Sequence, residues 1–60
     1  RRSIVAIKDI KKNEPFTVNN ISCKRPATGI SASNYFNVCG EIAGNDISND
    51  TIILQNMLKH

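Results

Sequence analysis

The chain has 60 residues, of which 40% are hydrophobic and 22% charged, and it carries a formal net charge of +3. A chain this short buries only about 60% of its unfolded surface, which leaves little interior for a substrate pocket and argues against an autonomous enzyme. Its longest apolar runs, such as residues 52–54, are too short to cross a membrane. The cations are dispersed and do not alternate with the few aromatic residues, so we expect no nucleic-acid partner.

In chain order, the first half of the sequence predicts two strands joined by turns. Residues 3–7 are a β-branched and apolar run typical of a strand, and residues 11–14 are a polar turn in which Asn13 can adopt the left-handed conformation. Residues 17–20 begin with Thr and continue with polar side chains, which predicts a single capped helical turn. Residues 21–25 are the second predicted strand.

The second strand ends in two cations. Side chains alternate along a strand, so Ile21, Cys23 and Arg25 are expected to share the core-facing side. Arg25 is the last residue of that strand before Pro26, and its guanidinium is therefore predicted to emerge from the rim of the core. Lys24 lies on the opposite side and is predicted to be solvated only.

The second half predicts one short helix and several short strands. Residues 26–29 are a tight loop, after which Ser31 or Ser33 can cap a helix that reaches Val38 and ends before Gly40. Strands are predicted at residues 41–43, 45–47 and 52–54, with a turn at 48–51 and a helical turn at 55–58. The density of turn signals predicts a mostly β domain with helices no longer than about two turns.

The sequence repeats itself weakly. When residues 6–21 are laid on residues 43–58, Asn13 falls on Asp50 in the turn, and identical residues fall on each other at Ala6 and Ala43, Asp9 and Asp46, Ile10 and Ile47, and Asn19 and Asn56. The matching turn placement predicts two similar units about an approximate two-fold axis. Chance similarity between short β segments is the alternative.

Two cysteines, Cys23 and Cys39, fit neither a redox pair nor a zinc module, because they are far apart in sequence and the only histidine is His60. A disulfide between them is possible, but we expect free thiols that act as small buried hydrophobes. Without an internal histidine, neither a Cys–His nor a Ser–His–Asp arrangement can be assembled.

Three stretches, VAIKDIKKNEPFTVNNISCKRPATGIS, YFNVCG and EIAGNDISNDTII, resemble the SAF or antifreeze-like domain, and most closely its C-terminal copy in bacterial sialic acid synthases. The resemblance covers residues 1–60. It implies that these residues are one domain of a longer polypeptide, whose N-terminal TIM-barrel domain is absent from this chain. It implies a compact β-clip with short helical turns and an internal pseudo-two-fold. The sequence departs from the usual family pattern at Asn13, Ala27 and residues 49–50, and these differences concern the residue types found in turns.

The resemblance also implies a function. Enzymes of this family condense phosphoenolpyruvate with N-acetylmannosamine, or a related hexose, to give a nonulosonic acid and phosphate. The catalytic residues and a divalent metal ion, manganese or magnesium, belong to the barrel, so no catalytic residue or cofactor is expected in this domain. In the domain-swapped homodimer, the domain reaches over the partner's barrel, and the Arg of the KRP motif, here Arg25, contacts the amino sugar. A transferase that uses phosphoenolpyruvate implies a cytoplasmic location.

The main alternative is an ice-binding protein of the type III antifreeze fold, which belongs to a different functional class. Ice recognition by that fold is expected to need a flat, weakly polar and rigid surface, which the charges of Lys11, Lys12 and Glu14 would disturb. SAF modules of pilus-assembly proteins or sugar dehydratases are a third possibility, because the fold is reused. The KRPATGI stretch favours the synthase.

Overall fold

Two short strands hold the N-terminal half together. In the computed structural model, which describes residues 1–60, β1 (Ser3–Ala6) pairs antiparallel with β2 (Ile21–Lys24), so that Ser3 lies opposite Lys24 and Ala6 opposite Ile21. All four residues of β1 are buried, because its other edge also has neighbours, through single bridges from Ser3 to Ser31 and from Val5 to Ile52. Both predicted strands are confirmed, each one residue shorter at its C-terminal end.

Short helical turns complete the fold. A 3-10 helix (Ala32–Asn34) leads into α1 (Tyr35–Val38), and a second 3-10 helix (Gln55–Met57) lies near the C-terminus. Ser31 is the cap: its Oγ accepts a hydrogen bond from the Ser33 N–H at 3.2 Å. Gly40 follows the helix at φ +95°, a conformation that glycine adopts without a steric penalty. The helix that was predicted to reach Val38 and end before Gly40 is confirmed.

The predicted strands of the second half are wrong in extent. Residues 41–43, 45–47 and 52–54 contribute only single bridges, which pair Pro15 with Ile42, Ala43 with Leu58, Ile10 with Ile47 and Val5 with Ile52. Each bridge joins one pair of residues, and a bend at residues 44–45 and a turn at residues 49–50 redirect the chain between the three segments. A strand ladder needs consecutive pairs, so the apolar pattern is present here without a strand.

The approximate two-fold is present in the backbone hydrogen bonds. At its centre, Ile10 and Ile47 exchange both N–H···O bonds, each 2.7 Å long. Other backbone hydrogen bonds also occur in equivalent pairs. When residues related by a shift of 37 positions, such as Ala6 and Ala43, are exchanged, each of these bonds corresponds to another of nearly equal length. Such pairs are Asn13 N–H to Ala43 O with Asp50 N–H to Ala6 O (both 2.8 Å), and Phe16 N–H to Glu41 O (2.8 Å) with Ile53 N–H to Ile4 O (2.9 Å).

The turns obey the same symmetry. Asn13 at φ 75° and Asp50 at φ 68° are the two non-glycine residues with positive φ, and they are equivalent under the shift. Short polar side chains such as these tolerate the left-handed region better than other residues do. The internal two-fold predicted from the sequence is thus confirmed in the backbone.

One apolar cluster lies between the two units. Its eleven buried members are Ile4, Ala6, Ile10, Phe16, Ile21, Ile30, Val38, Ala43, Ile47, Ile53 and Leu58. Two equivalent pairs of positions are buried equally: Phe16 and Ile53 are both 0% exposed, and so are Ala6 and Ala43. The Cα atoms have a radius of gyration of 9.8 Å.

None of the helices has the length and apolar character needed to span a membrane. Cys23 and Cys39 are free thiols, and both are half-buried, which is less than the full burial expected of them.

Candidate functional site

Arg25 is the first residue after β2, and it is exposed. The strand was predicted to include Arg25, but it ends at Lys24, which is paired with Ser3 at the start of β1. The residue before Ser3, Arg2, gives its carbonyl oxygen to the Ala32 N–H at 3.0 Å. A cis peptide bond then joins Arg25 to Pro26. Arg25 therefore stands at the edge of the two-stranded ladder, where the chain leaves it.

The loop that begins at Arg25 is fixed at both ends by Ser3. On one side Ser3 pairs with Lys24, and on the other it forms a bridge with Ser31. The Ser3 hydroxyl, which is fully buried, donates a hydrogen bond to the Pro26 carbonyl. Both stems of the loop are thus attached to one buried residue. Sequence reasoning missed Ser3, although a small polar residue at the head of an apolar strand was its visible signal.

Gly29 brings the end of the loop against the second unit. A Cβ at this position would lie 2.5 Å from both the Ile53 carbonyl oxygen and Ile52 Cγ2, which is too close for any side chain. The next residue, Ile30, donates its N–H to the same Ile53 oxygen at 3.0 Å. The loop is therefore packed closely on the core at its end, while residues 25–28 are exposed to solvent.

The two cations at the end of β2 differ in their surroundings. Lys24 Nζ lies 3.4 Å from Asp50 Oδ1, in an ion pair between exposed side chains. The prediction that Lys24 is merely solvated is wrong to this extent, although such surface pairs contribute little stability. The Arg25 guanidinium makes neither an ion pair nor a hydrogen bond within the chain. Its five donors remain available to a ligand or partner.

The acidic side chains are mostly engaged elsewhere. Asp9 and Asp46 accept backbone N–H groups, each at 2.8 Å, and Glu14 accepts the Lys11 N–H at 2.9 Å. No group of three or more His, Cys, Asp or Glu side chains is placed to hold a metal ion. The structure thus brings one unpaired guanidinium to the loop and no acid that would neutralise it.

The Tyr35 hydroxyl has a structural role and not a catalytic one. Its hydroxyl donates to the Ile21 carbonyl at 2.8 Å, which fastens α1 to the start of β2. Desolvation raises the pKa of the Tyr35 phenol above its ordinary value, and the neighbouring thiols of Cys39 and Cys23 raise it further. A phenol that holds its proton more tightly is a poor general acid at neutral pH, so we regard Tyr35 as a fastening for the strand that presents Arg25.

Comparison with known proteins supplies the family. The SAF domain model matches residues 1–59. An N,N'-diacetyllegionaminic acid synthase from Campylobacter jejuni is 49% identical over 53 residues, which cover 88% of this chain and 16% of that protein. An uncharacterised protein from Methanocaldococcus jannaschii is 45% identical over 53 residues, with the same coverage of 88% and 16%. This chain therefore spans only about a sixth of the length of the curated relatives that it matches.

A solved structure shows the fold. The solution structure of the antifreeze protein-like domain in human N-acetylneuraminic acid phosphate synthase superimposes with a TM-score of 0.90 at 20% identity. The match covers 97% of this chain and 75% of that one. The compact antifreeze-like β-clip predicted from the sequence is confirmed. With a family model that matches almost every residue, the chain belongs to the SAF domain family.

Proposed function

We propose that this chain is the substrate-capping domain of a nonulosonic acid synthase and that Arg25 binds the amino-sugar substrate. The observation that carries the proposal is the Arg25 guanidinium, which is exposed and unpaired at the base of a loop held by Ser3 at both stems. The 49% identity to a legionaminic acid synthase supports the enzyme class. The reaction would join phosphoenolpyruvate to N-acetylmannosamine or a related hexose.

The chemistry of Arg25 suits this role. A planar guanidinium offers several N–H donors in a fixed fork, which can bind sugar hydroxyls and an N-acetyl carbonyl together. The end of β2 anchors the backbone next to Arg25, so the main entropic cost of sugar binding in this domain would be the ordering of one exposed side chain, about 0.5–1.5 kcal/mol. The domain would then orient the acceptor sugar and exclude water, while the chemical step takes place elsewhere.

The remaining parts of the site would come from a partner. We propose that the domain covers the mouth of a TIM barrel in the other subunit of a domain-swapped homodimer. That barrel would contribute the catalytic residues and a divalent manganese or magnesium ion. Phe36 supports a docked state, because it is 81% exposed and aromatic side chains are enriched in protein interfaces. Because phosphoenolpyruvate is a cytoplasmic metabolite, the proposed location is the cytoplasm.

The test is the Arg25→Ala variant of the full-length synthase that carries this domain. Loss of a charge-assisted hydrogen bond weakens binding by about 1.5–3 kcal/mol, so kcat/KM for the amino sugar should fall about 10- to 100-fold. The KM for phosphoenolpyruvate should change much less, because the barrel and its metal would bind that anion. Arg25→Lys should recover only part of the loss, since an ammonium group lacks the planar fork.

Lys24→Ala is the matched control, because it removes the adjacent cation and only an exposed ion pair with Asp50. It should leave both KM values close to those of the wild type. The assigned role would be contradicted if Arg25→Ala raised both KM values equally. It would also be contradicted if Lys24→Ala lowered kcat/KM for the amino sugar more than Arg25→Ala does.

A further inference from the structure

An open groove of about 360 Å³ lies between α1 and the C-terminal 3-10 helix, and Arg25 does not line it. Three apolar residues at its base, Ile30, Val38 and Leu58, belong to the core cluster and are no more than 9% exposed. Polar side chains surround them. The groove therefore combines a hydrocarbon base with a polar rim, the composition of a small-ligand site.

The rim has unused hydrogen-bonding capacity. Asn34, Asn37 and Gln55 each line the groove and are exposed, and their side chains form no hydrogen bond within the chain. By contrast, the side chains of Asn13 and Asn20 are hydrogen-bonded at other places in the structure. Each carboxamide offers two donors and one acceptor group. Three of them around one cavity can therefore bind a ligand that both donates and accepts hydrogen bonds.

The charges around the groove do not favour an anion. Lys59 lines the groove and donates from its Nζ to the neutral Asn13 Oδ1 at 2.9 Å, so it keeps its positive charge. Glu41 also lines the groove, together with His60, and the Glu41 carboxylate has neither an ion pair nor a hydrogen bond from its side chain. The formal charges of Lys59 and Glu41 are equal and opposite, so the two leave no excess positive charge to hold a phosphate or carboxylate. A neutral ligand does not depend on such an excess.

We propose that this groove is a second binding site, specific for a neutral monosaccharide and separate from Arg25. A volume of about 360 Å³ is near the lower end of the range of about 300–1,000 Å³ for ligand sites, which suits one sugar ring better than a nucleotide cofactor. The sugar hydroxyls pair with the three carboxamides, and a C–H face of the ring covers the apolar base. This inference rests on the groove alone, so it holds or fails independently of the role of Arg25.

The experiment is a titration of the ¹⁵N-labelled 60-residue chain with N-acetylmannosamine, with mannose and with inorganic phosphate, followed by NMR. Both sugars should give saturable shifts confined to the amides that line the groove, with a Kd on the order of millimolar, and phosphate should give none there. Asn37→Ala and Gln55→Ala should each weaken sugar binding about 2- to 12-fold, the effect of one net hydrogen bond.

Asn56→Ala is the matched control. Asn56 is exposed in the same 3-10 helix as Gln55 and does not line the groove, so its loss should leave the Kd unchanged. Arg25→Ala should also leave it unchanged, which separates this site from the proposed synthase site. The proposal would be overturned by chemical shifts that never saturate, by shifts centred on the Arg25 loop, or by a preference for phosphate. It would also be overturned if Asn56→Ala weakened sugar binding as much as Gln55→Ala does.

Discussion

The two-fold symmetry makes a quantitative prediction about two carboxylates. Asp9 Oδ1 accepts the Asn49 N–H, and Asp46 Oδ1 accepts the Lys12 N–H, both at 2.8 Å. Each carboxylate thus ties the turn of the other unit to its own. Because the two contacts are equivalent under the shift of 37 residues that carries Asp9 onto Asp46, Asp9→Ala and Asp46→Ala should destabilise the domain by the same amount.

The magnitude follows from the type of bond. Hydrogen bonds to charged groups are worth about 1.5–3 kcal/mol, but both carboxylates are exposed, and solvent screening reduces this to about 1 kcal/mol each. In a domain of this size, a loss of about 1 kcal/mol lowers Tm by about 4–8 °C. If the two contacts are independent, the double variant should lose about 2 kcal/mol.

Thermal and denaturant unfolding of the two single variants and the double variant measures these losses. Lys24→Ala is the control, because it removes an exposed ion pair and should cost no more than about 0.5 kcal/mol. A loss confined to one of the two aspartates, or no loss at either, would show that the symmetric geometry does not reflect symmetric energetics.

Three further predictions concern a glycine, the thiols and ice. Gly29→Ala should lower the free energy of unfolding by about 1–3 kcal/mol in denaturant unfolding, because its Cβ would lie 2.5 Å from a carbonyl oxygen. Gly44→Ala is the control and should cost less, because its nearest contacts would be at 3.4 Å. Equal losses of stability would contradict the steric argument. Unfolded, unreduced protein should react with a thiol reagent at both Cys23 and Cys39, and recovery of no thiol would refute free cysteines. The isolated chain should show no thermal hysteresis of freezing, because the charged Lys11 and Lys12 side chains are exposed to solvent and would disturb a flat, weakly polar surface. Clear hysteresis at millimolar protein would favour an ice-binding function.

Local chemistry made much of the fold predictable. Asn13 and Asp50 adopt positive φ, and Gly40 does so after α1, because few residue types tolerate that region. The repeat was visible for a related reason. Equivalent turns impose the same short polar residues, and equivalent core positions impose small or apolar ones, as Ala6 and Ala43 show with 0% exposure each.

Long-range pairing was not predictable in the same way. Residues 41–43 and 52–54 have the apolar composition of strands, but strand formation depends on how many consecutive residues find a partner. The end of β2 was misplaced by one residue because it depends on where the partner strand begins, at Ser3, which no local pattern in residues 21–25 encodes. The same limit applies to Ser3, whose two neighbours lie on different segments.

The symmetry also separates the two repeated units from the segment that carries Arg25. The shift that places Ala6 on Ala43 places residues 3–23, the first unit, on residues 40–60, the second unit, and residues 24–39 connect them. That connecting segment contains the Arg25 loop and α1, and with them Asn34 and Asn37 of the groove. The two units bury most of the core, and the connector adds only Ile30 and Val38 to it. Substitutions on the exposed side of residues 25–37 should therefore alter binding with little loss of stability, as should Gln55→Ala in the groove, whereas changes at the buried positions of the units should affect stability first.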